Sequence, residues 1–323
     1  MRCLLVACCL VFLFPASAWA DALVEEHVLS ETEQDCLMAE LRKADNQVTV
    51  GQLRRQCQSA ADARTAGAVM RDMKSSDRSS QRFLIEPHKA NYILPVGYQT
   101  GAGKGLAGES PRHAEVKYQV SFKSKIEDNL LGKDMDLYFA YTQQSYWQLY
   151  DTGYSSPFRE NDYEPEFFLD MPLDWEWNRA HFIAWRLGVV HQSNGRGPDY
   201  SRSWNRLYTD FLFEHGNAWL SLKPWWRIPE NPGNDDNRDI QTYMGHAELT
   251  GGYRWGEQHL TITTRNWWES SGKGALQLDY SIPFTRYLRW NVELFNGYGE
   301  SLLDYDQNVS RISFGIMLED GIH

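Results

Sequence analysis

The stretch IAWRLGVVHQSNGRGPDYSRSWNRLY, residues Ile183 to Tyr208, decides how this chain reads. If its two arms are β-strands, side chains alternate between opposite faces. Ile183, Trp185, Leu187, Val189, His191 and Ser193 then share one face, against Ala184, Arg186, Gly188, Val190 and Gln192 on the other. On the returning arm Ser203, Asn205, Leu207, Thr209 and Phe211 share a face, opposite Arg202, Arg206 and Asp210. His191, Ser193 and Asn205 therefore lie at the edge of an apolar wall, while the other face carries charge. That arrangement is odd for an enzyme in water and sensible for one whose outer wall meets lipid.

Working outward, the composition supports a wall of that kind. After residue 20 no apolar run approaches the roughly 18 residues of a membrane helix. Mean hydropathy is −0.56. Yet 14% of residues are aromatic, including 13 Trp and 17 Tyr. A transmembrane β-barrel reconciles these facts, because each strand shows only half its residues to lipid and aromatics gather at the two interfaces. The net charge of −11 argues against nucleic acid as a partner. At the N-terminus, Arg2, the apolar run Leu4 to Phe14 and the small-x-small site Ala18-Trp19-Ala20 read as a signal peptide over residues 1–20. Cys3, Cys8 and Cys9 would leave with it. Cys36 and Cys57 would remain in an oxidising compartment, where a disulfide is the natural reading.

Residues 21–80 differ from the rest. Glu31–Arg42 and Val50–Ala63 have helical composition, so a small helical periplasmic extension is expected, with a polar linker around Ser75–Ser80. From Asn91 onward the pattern changes to period two with turn signals between segments. Strands are expected at about 91–99, 115–126, 135–150, 164–174, 180–193, 201–214, 218–227, 240–255, 258–268, 274–284, 288–299 and 308–318. The expected fold is all-β: a twelve-stranded antiparallel transmembrane barrel over 81–323, closed because an open edge cannot be left in hydrocarbon. Pro224 and Pro283 are expected near strand ends, where a missing N–H does little harm.

Acyl transfer by a hydroxyl needs a nucleophile, a base, and a group that orients the base. Ser193, His191 and Asn205 can fill those roles. Two residues along a strand lie roughly 6.6–6.8 Å apart, within side-chain reach, and Asn205 joins them if the two arms pair through Asn194–Tyr200. Polar decoration of a membrane interface would use the same residue types, and shared orientation alone leaves both readings open.

Longer motifs separate them. His191-x-Ser193-Asn194-Gly195-Arg196, followed by Ser201-Arg202-Ser203-Trp204-Asn205-Arg206-x-Tyr208, resembles the signature of the outer membrane phospholipase A family. Ser155-Ser156-Pro157-Phe158-Arg159-Glu160, Tyr163-Glu164-Pro165, Lys223-Pro224-Trp225 and Gly297-Tyr298-Gly299-Glu300-Ser301-Leu302 extend the resemblance over residues 83–323. It implies a calcium-dependent phospholipase in the bacterial outer membrane, active as a homodimer, that cleaves sn-1 and sn-2 acyl esters of phospholipids and lysophospholipids. It places His191, Ser193 and Asn205 on the base, nucleophile and orienting residue. It places the Arg196 carbonyl and Ser201 hydroxyl on calcium ligands, Ser155 on the ligand given by the opposite subunit, and Gln143 at the dimer interface. Oxygen donors of low charge suit a hard cation held weakly. Asp199 and Asp236 are further carboxylates for a second site, although Pro198 stands where the family carries an acid. The chain also ends Asp320-Gly321-Ile322-His323, without the terminal aromatic residue that the outer-membrane assembly machinery commonly reads. A passive pore, with His191 and Ser193 as relics, is the rival reading. A barrel protease would want an inward acidic and histidine cluster at the rim, and none is evident.

Overall fold

The computed structural model describes residue 38 and residues 84–101, 112–132, 134–155, 157–177, 180–197, 199–233, 235–266 and 272–318. The expected helices over 31–42 and 50–63 lie outside these residues, Met38 apart. So do the Cys36 and Cys57 pair and the C-terminal residues 319–323.

Thirteen strands run through the described residues: β1 (Ile85–Pro87), β2 (Tyr92–Thr100), β3 (Val116–Glu127), β4 (Asp136–Trp147), β5 (Phe158–Trp177), β6 (Ala180–Ser193) and β7 (Ser203–His215). They continue as β8 (Ala218–Ile228), β9 (Ala247–Trp255), β10 (Gln258–Arg265), β11 (Ala275–Pro283), β12 (Leu288–Gly297) and β13 (Val309–Leu318). Each of β2 to β13 pairs antiparallel with its neighbours in sequence, and β13 pairs back onto β2, closing a twelve-stranded ring. Closure gives every strand of the ring two partners, which is what hydrocarbon demands of the backbone. The short β1 adds to β3 through Ile85↔Ser124, below the stretch that β2 covers through Tyr92↔Gln119.

Four differences from the sequence expectation have physical causes. β5 begins at Phe158 rather than 164, because Glu160 and Asp162, which look like loop residues, point into the polar interior and are buried there. The segment expected as strand from 240 opens instead with a short helix α1 (Ile240–Met244), whose Ile240 and Met244 are buried, and β9 starts only at Ala247. β1 is an additional strand, and its three residues show too little alternation to read from sequence. Pro224 lies inside β8, where it forms the last pair with β9 and where the ladder to β7 is interrupted between Tyr208↔Trp225 and Phe211↔Leu222. The missing N–H therefore falls at a break in pairing. Pro283 does end β11.

The two faces of the wall divide as an inverted globule. Ile93, Val96, Val120, Phe167, Leu187, Val189, Leu207, Leu222, Ile262, Ile312 and Phe314 are exposed on the outside. The interior holds ion pairs: Lys117 with Glu293 at 2.8 Å, Arg206 with Glu164 at 2.9 Å, and Lys89 with Glu164. His88 and the Tyr208 hydroxyl both contact Glu166 at 2.6 Å. Around these pack Tyr138, Phe168, Trp204, Trp225, Ile240 and Leu302. A cavity of about 200 Å³ remains among the charged groups. A lumen filled in this way is poorly suited to a passive channel.

The ends of the barrel are unequal. β7–β8 and β9–β10 are joined by the tight turns 216–217 and 256–257, each with a glycine at positive φ. At the opposite end the strands are spaced farther apart in sequence: β2 ends at Thr100 and β3 begins at Val116, β8 ends at Ile228 and β9 begins at Ala247, and β12 ends at Gly297 and β13 begins at Val309. Short turns inside and long loops outside are the pattern of outer-membrane barrels.

Candidate active site

β6 and β7 meet at the long-loop end in unbroken register, with Val189↔Leu207, His191↔Asn205 and Ser193↔Ser203. Inward on the same strands, Gly188 faces Tyr208, whose ring occupies the space a Cβ at 188 would need, 2.5 Å from the ring atom Cζ. The alternation from Ala184 onward is the expected one: Leu187, Val189 and His191 are exposed outward, Gly188 and Val190 are buried inward. A bulge against β7 between Phe182 and Ala184 leaves Ile183 outside the regular ladder.

Direct cross-strand pairing brings His191 and Asn205 together. Imidazole Nδ1 and amide Oδ1 are 2.8 Å apart, and since a carbonyl oxygen only accepts, Nδ1–H is the donor. Nε2 is thereby left as an acceptor. Ser193 follows two residues along the same face, half-buried, beside Tyr163, its register partner on β5. Among the described residues no hydrogen bond joins the Ser193 hydroxyl to the imidazole; such contacts are often loose without substrate. The amide Nδ2 of Asn205 donates to Glu230 Oε1 at 3.1 Å, a neighbour that sequence reading did not find.

The loop after Ser193 is tied down by Asn194, which is buried. Its Nδ2 donates to Glu160 Oε1 and to the Tyr200 carbonyl, both at 2.9 Å, and its Oδ1 accepts from Arg202 N at 2.9 Å. Gly195 turns the loop at φ 64, which suits a residue with no Cβ. The Arg196 side chain is drawn to Glu160 Oε2 at 2.7 Å and to the Arg159 carbonyl. Asn237 Oδ1 accepts from Ser203 N at 3.0 Å and so holds the start of β7. Glu160 and Asn194 both lie within motifs evident in the sequence, but nothing in their spacing reveals that each braces the loop.

Of the expected calcium ligands, Ser201 and Asp236 come together from separate loops. The Ser201 hydroxyl donates to Asp236 Oδ2 at 2.5 Å, which leaves both hydroxyl lone pairs free. Asp236 and Asp199 are exposed. Ser155 follows the turn Thr152–Tyr154 in a left-handed conformation, φ 58, and is exposed; among the described residues no hydrogen bond connects it to Ser201 or Asp236. Pro198 lies outside the described residues. No group of three or more His, Cys, Asp or Glu poised for a metal occurs among the described residues.

Gln143 stands on the outward-facing row of β4. Its Oε1 accepts from the Tyr141 hydroxyl at 3.3 Å, and its Nε2 donates to Ser145 Oγ at 3.1 Å. Both ends of the amide are thus occupied within one chain.

The family model for Phospholipase A1 matches residues 69–318. The phospholipase A1 of Escherichia coli strain K12 is 38% identical over 248 residues, covering 74% of this chain and 82% of that protein. The phospholipase A1 of Proteus vulgaris is 38% identical over 243 residues, with the same two coverages. Among solved structures, outer membrane phospholipase A from Escherichia coli aligns with a TM-score of 0.70 at 37% identity, over 74% of this chain and 99% of that one. The Salmonella typhi outer membrane phospholipase, a dimer with bound calcium, aligns with a TM-score of 0.71 at 36% identity, over 76% and 96%.

Proposed function

The chain belongs to the phospholipase A1 family and is an outer-membrane β-barrel; from that premise we propose that it is a calcium-dependent serine phospholipase, active as a homodimer. Its substrates are the sn-1 and sn-2 acyl esters of phospholipids and lysophospholipids. The observation that carries this reading is the 2.8 Å contact from His191 to Asn205 on the lipid-facing wall, with Ser193 on the same face. A channel would have its working groups in the lumen.

The chemistry follows from placement. The scissile ester of a lipid lying against Leu187, Val189 and Leu207 sits at the headgroup level, beside Ser193. His191 Nε2 takes the Ser193 proton as Oγ attacks the ester carbon, and returns it to the departing glycerol oxygen. Water, activated by the same imidazole, then hydrolyses the acyl-serine. Asn205 keeps the ring in the tautomer both steps need. Because the amide is neutral, it supports the imidazolium less than a carboxylate would.

The donor set fits calcium: hard, oxygen-only and of low charge. The Arg196 carbonyl and the Ser201 hydroxyl would hold it, together with Ser155 of the partner subunit and water, while Asp236, beside Ser201, is a carboxylate for a second site. When bound, the ion supplies positive charge to polarise the ester carbonyl. Supporting these assignments are the Ser201–Asp236 contact and the diversion of the Arg196 guanidinium to Glu160, which leaves its main chain free of its own side chain.

Dimerisation completes the site, because Ser155 stands on another loop and a two-fold pair exchanges such ligands reciprocally. Gln143 lies at the interface and rotates from Tyr141 and Ser145 to its two-fold mate. We assign residues 1–20 to a signal peptide, 21–80 to a periplasmic extension and 81–323 to the barrel, whose active site faces the outer leaflet. The outer-membrane assembly machinery is its partner during biogenesis.

Release of fatty acid from phospholipid in detergent tests the reading. Release is expected with calcium and not with chelator, and Ser193→Ala should lower it by at least about a thousandfold. Calcium-independent release, or an active Ser193→Ala variant, would overturn it. Full activity in a proven monomer would defeat the dimer requirement.

A further inference from the structure

The orienting residue of this triad is an amide, and both of its ends are engaged. Asn205 Oδ1 accepts from His191 at 2.8 Å, and Asn205 Nδ2 donates to Glu230 Oε1 at 3.1 Å. Glu230 lies just past the end of β8, after Pro229. It reaches Asn205 because Asn205 pairs with Ile228, and residues 228 and 230 lean to the same side of the chain. Among the described residues its carboxylate makes no other hydrogen bond. Nearby, Arg227 pairs with Asp235 at 2.6 Å, Arg238 bonds the Pro232 carbonyl, and Asp236 takes the Ser201 hydroxyl. Among the described residues Glu230 has no ion-pair partner.

We propose that Glu230 is a positioning residue that extends the group to Ser193–His191–Asn205–Glu230. The proposal rests on the reading of Ser193 as nucleophile. An amide free to rotate about its terminal bond offers either its oxygen or its NH2 to the ring. With NH2 toward His191, Nδ1 would have to accept. The ring proton would then sit on Nε2, and the base that should take the Ser193 proton would already be a donor. A carboxylate accepts only, so Glu230 admits only the NH2 end of Asn205. The carbonyl then faces His191, Nδ1 carries hydrogen, and Nε2 is left to Ser193. Each hydrogen bond dictates the next.

Charge adds to geometry. As the Ser193 proton arrives on Nε2 the ring becomes a cation, and Asn205 offers no counter-charge. Glu230 places a negative charge behind the amide, and a hydrogen bond to a charged acceptor polarises the one beyond it. The same geometry makes Asn the right residue at 205. An Asp there would set its second oxygen against Glu230, and like charges repel.

Kinetics of the calcium-saturated dimer in detergent micelles test this, with kcat and KM measured separately. Glu230→Ala should lower kcat about tenfold and move KM by less than about twofold. Glu230→Gln keeps an acceptor but not the charge, and should recover about threefold of that loss. In an Asn205→Ala background, Glu230→Ala should produce no further loss, because the chain is already broken. Asn205→Asp should be impaired, and adding Glu230→Gln should restore part of its rate. An equal loss from Glu230→Ala with or without Asn205 would overturn the proposal, as would an unchanged kcat while Ser193→Ala is dead. Activity in Ser193→Ala would instead sink the nucleophile reading, a separate result. Glu230→Gln, the least disruptive change, keeps the test decisive should Glu230→Ala fold poorly.

Discussion

Glu115→Gln should destabilise the barrel by about 3 kcal/mol near pH 7 and by much less near pH 2. Glu115 stands just before β3, in a long connection at the outer end, and is fully buried. Its two oxygens receive Arg159 at 2.7 and 3.1 Å, Arg311 at 2.7 Å and Gln148 at 2.7 Å. Burial alone would raise its pKa. The two guanidiniums, with hydrogen bonds from Arg159 and Gln148, outweigh burial and hold the carboxyl at about 2, against an ordinary 4.5. At about 1.4 kcal/mol per tenfold change in proton affinity, that fall corresponds to roughly 3 kcal/mol. Because the folded value is the lower one, the contribution is fully present above pH 4.5 and disappears as pH falls through about 2. Gln keeps the shape but loses the charge and turns an NH2 toward donors, and breaking a buried pair typically costs about 3–5 kcal/mol. Urea unfolding in lipid vesicles, followed by tryptophan fluorescence, gives the gap between variant and wild type at each pH. A gap as large near pH 2 as near pH 7 would refute the reasoning. The result bears on function, because the Arg159 carbonyl and Glu160 beside it hold the Arg196 loop.

Gly188→Ala places a methyl 2.5 Å from the Tyr208 ring, whose hydroxyl is fixed to Glu166 at 2.6 Å. It should cost about 1–3 kcal/mol, read as a lowered urea midpoint. Asn194→Ala removes the bonds to Glu160, Tyr200 and Arg202 that close the loop after Ser193. Its kcat/KM should fall at least about tenfold, and the urea midpoint should fall as well, because buried Glu160 loses a partner at a cost of about 1–3 kcal/mol. Asp236→Asn takes a charge from beside Ser201. The calcium concentration for half-maximal activity should rise about tenfold, with kcat largely recovered at saturation.

Much of the barrel is legible in the sequence because one face of each strand meets lipid and the other meets ions. Leu187, Val189 and His191 against Gly188 and Val190 is a pattern that only one register satisfies. The start of β5 escaped because Glu160 and Asp162 are buried among charges, and an acidic strand in a polar lumen reads as loop. α1 escaped because five residues carry too little periodicity to separate helix from strand. His191, Ser193 and Asn205 were readable as neighbours because two lie on one strand and the third follows a short loop. Glu230 was not: its contact depends on the register Asn205↔Ile228, which pairing fixes and local sequence does not. The same holds for Asp236 meeting Ser201 across 35 residues.

Covalent labelling tests the lipid-facing nucleophile most directly. The calcium-loaded enzyme is treated with a long-chain alkyl fluorophosphonate, and the adduct is mapped by peptide mass spectrometry. Modification of Ser193 alone, in step with loss of activity and abolished in His191→Ala, is the expected result. Inactivation with Ser193 unmodified, or an adduct on a different residue that tracks the loss, would contradict it.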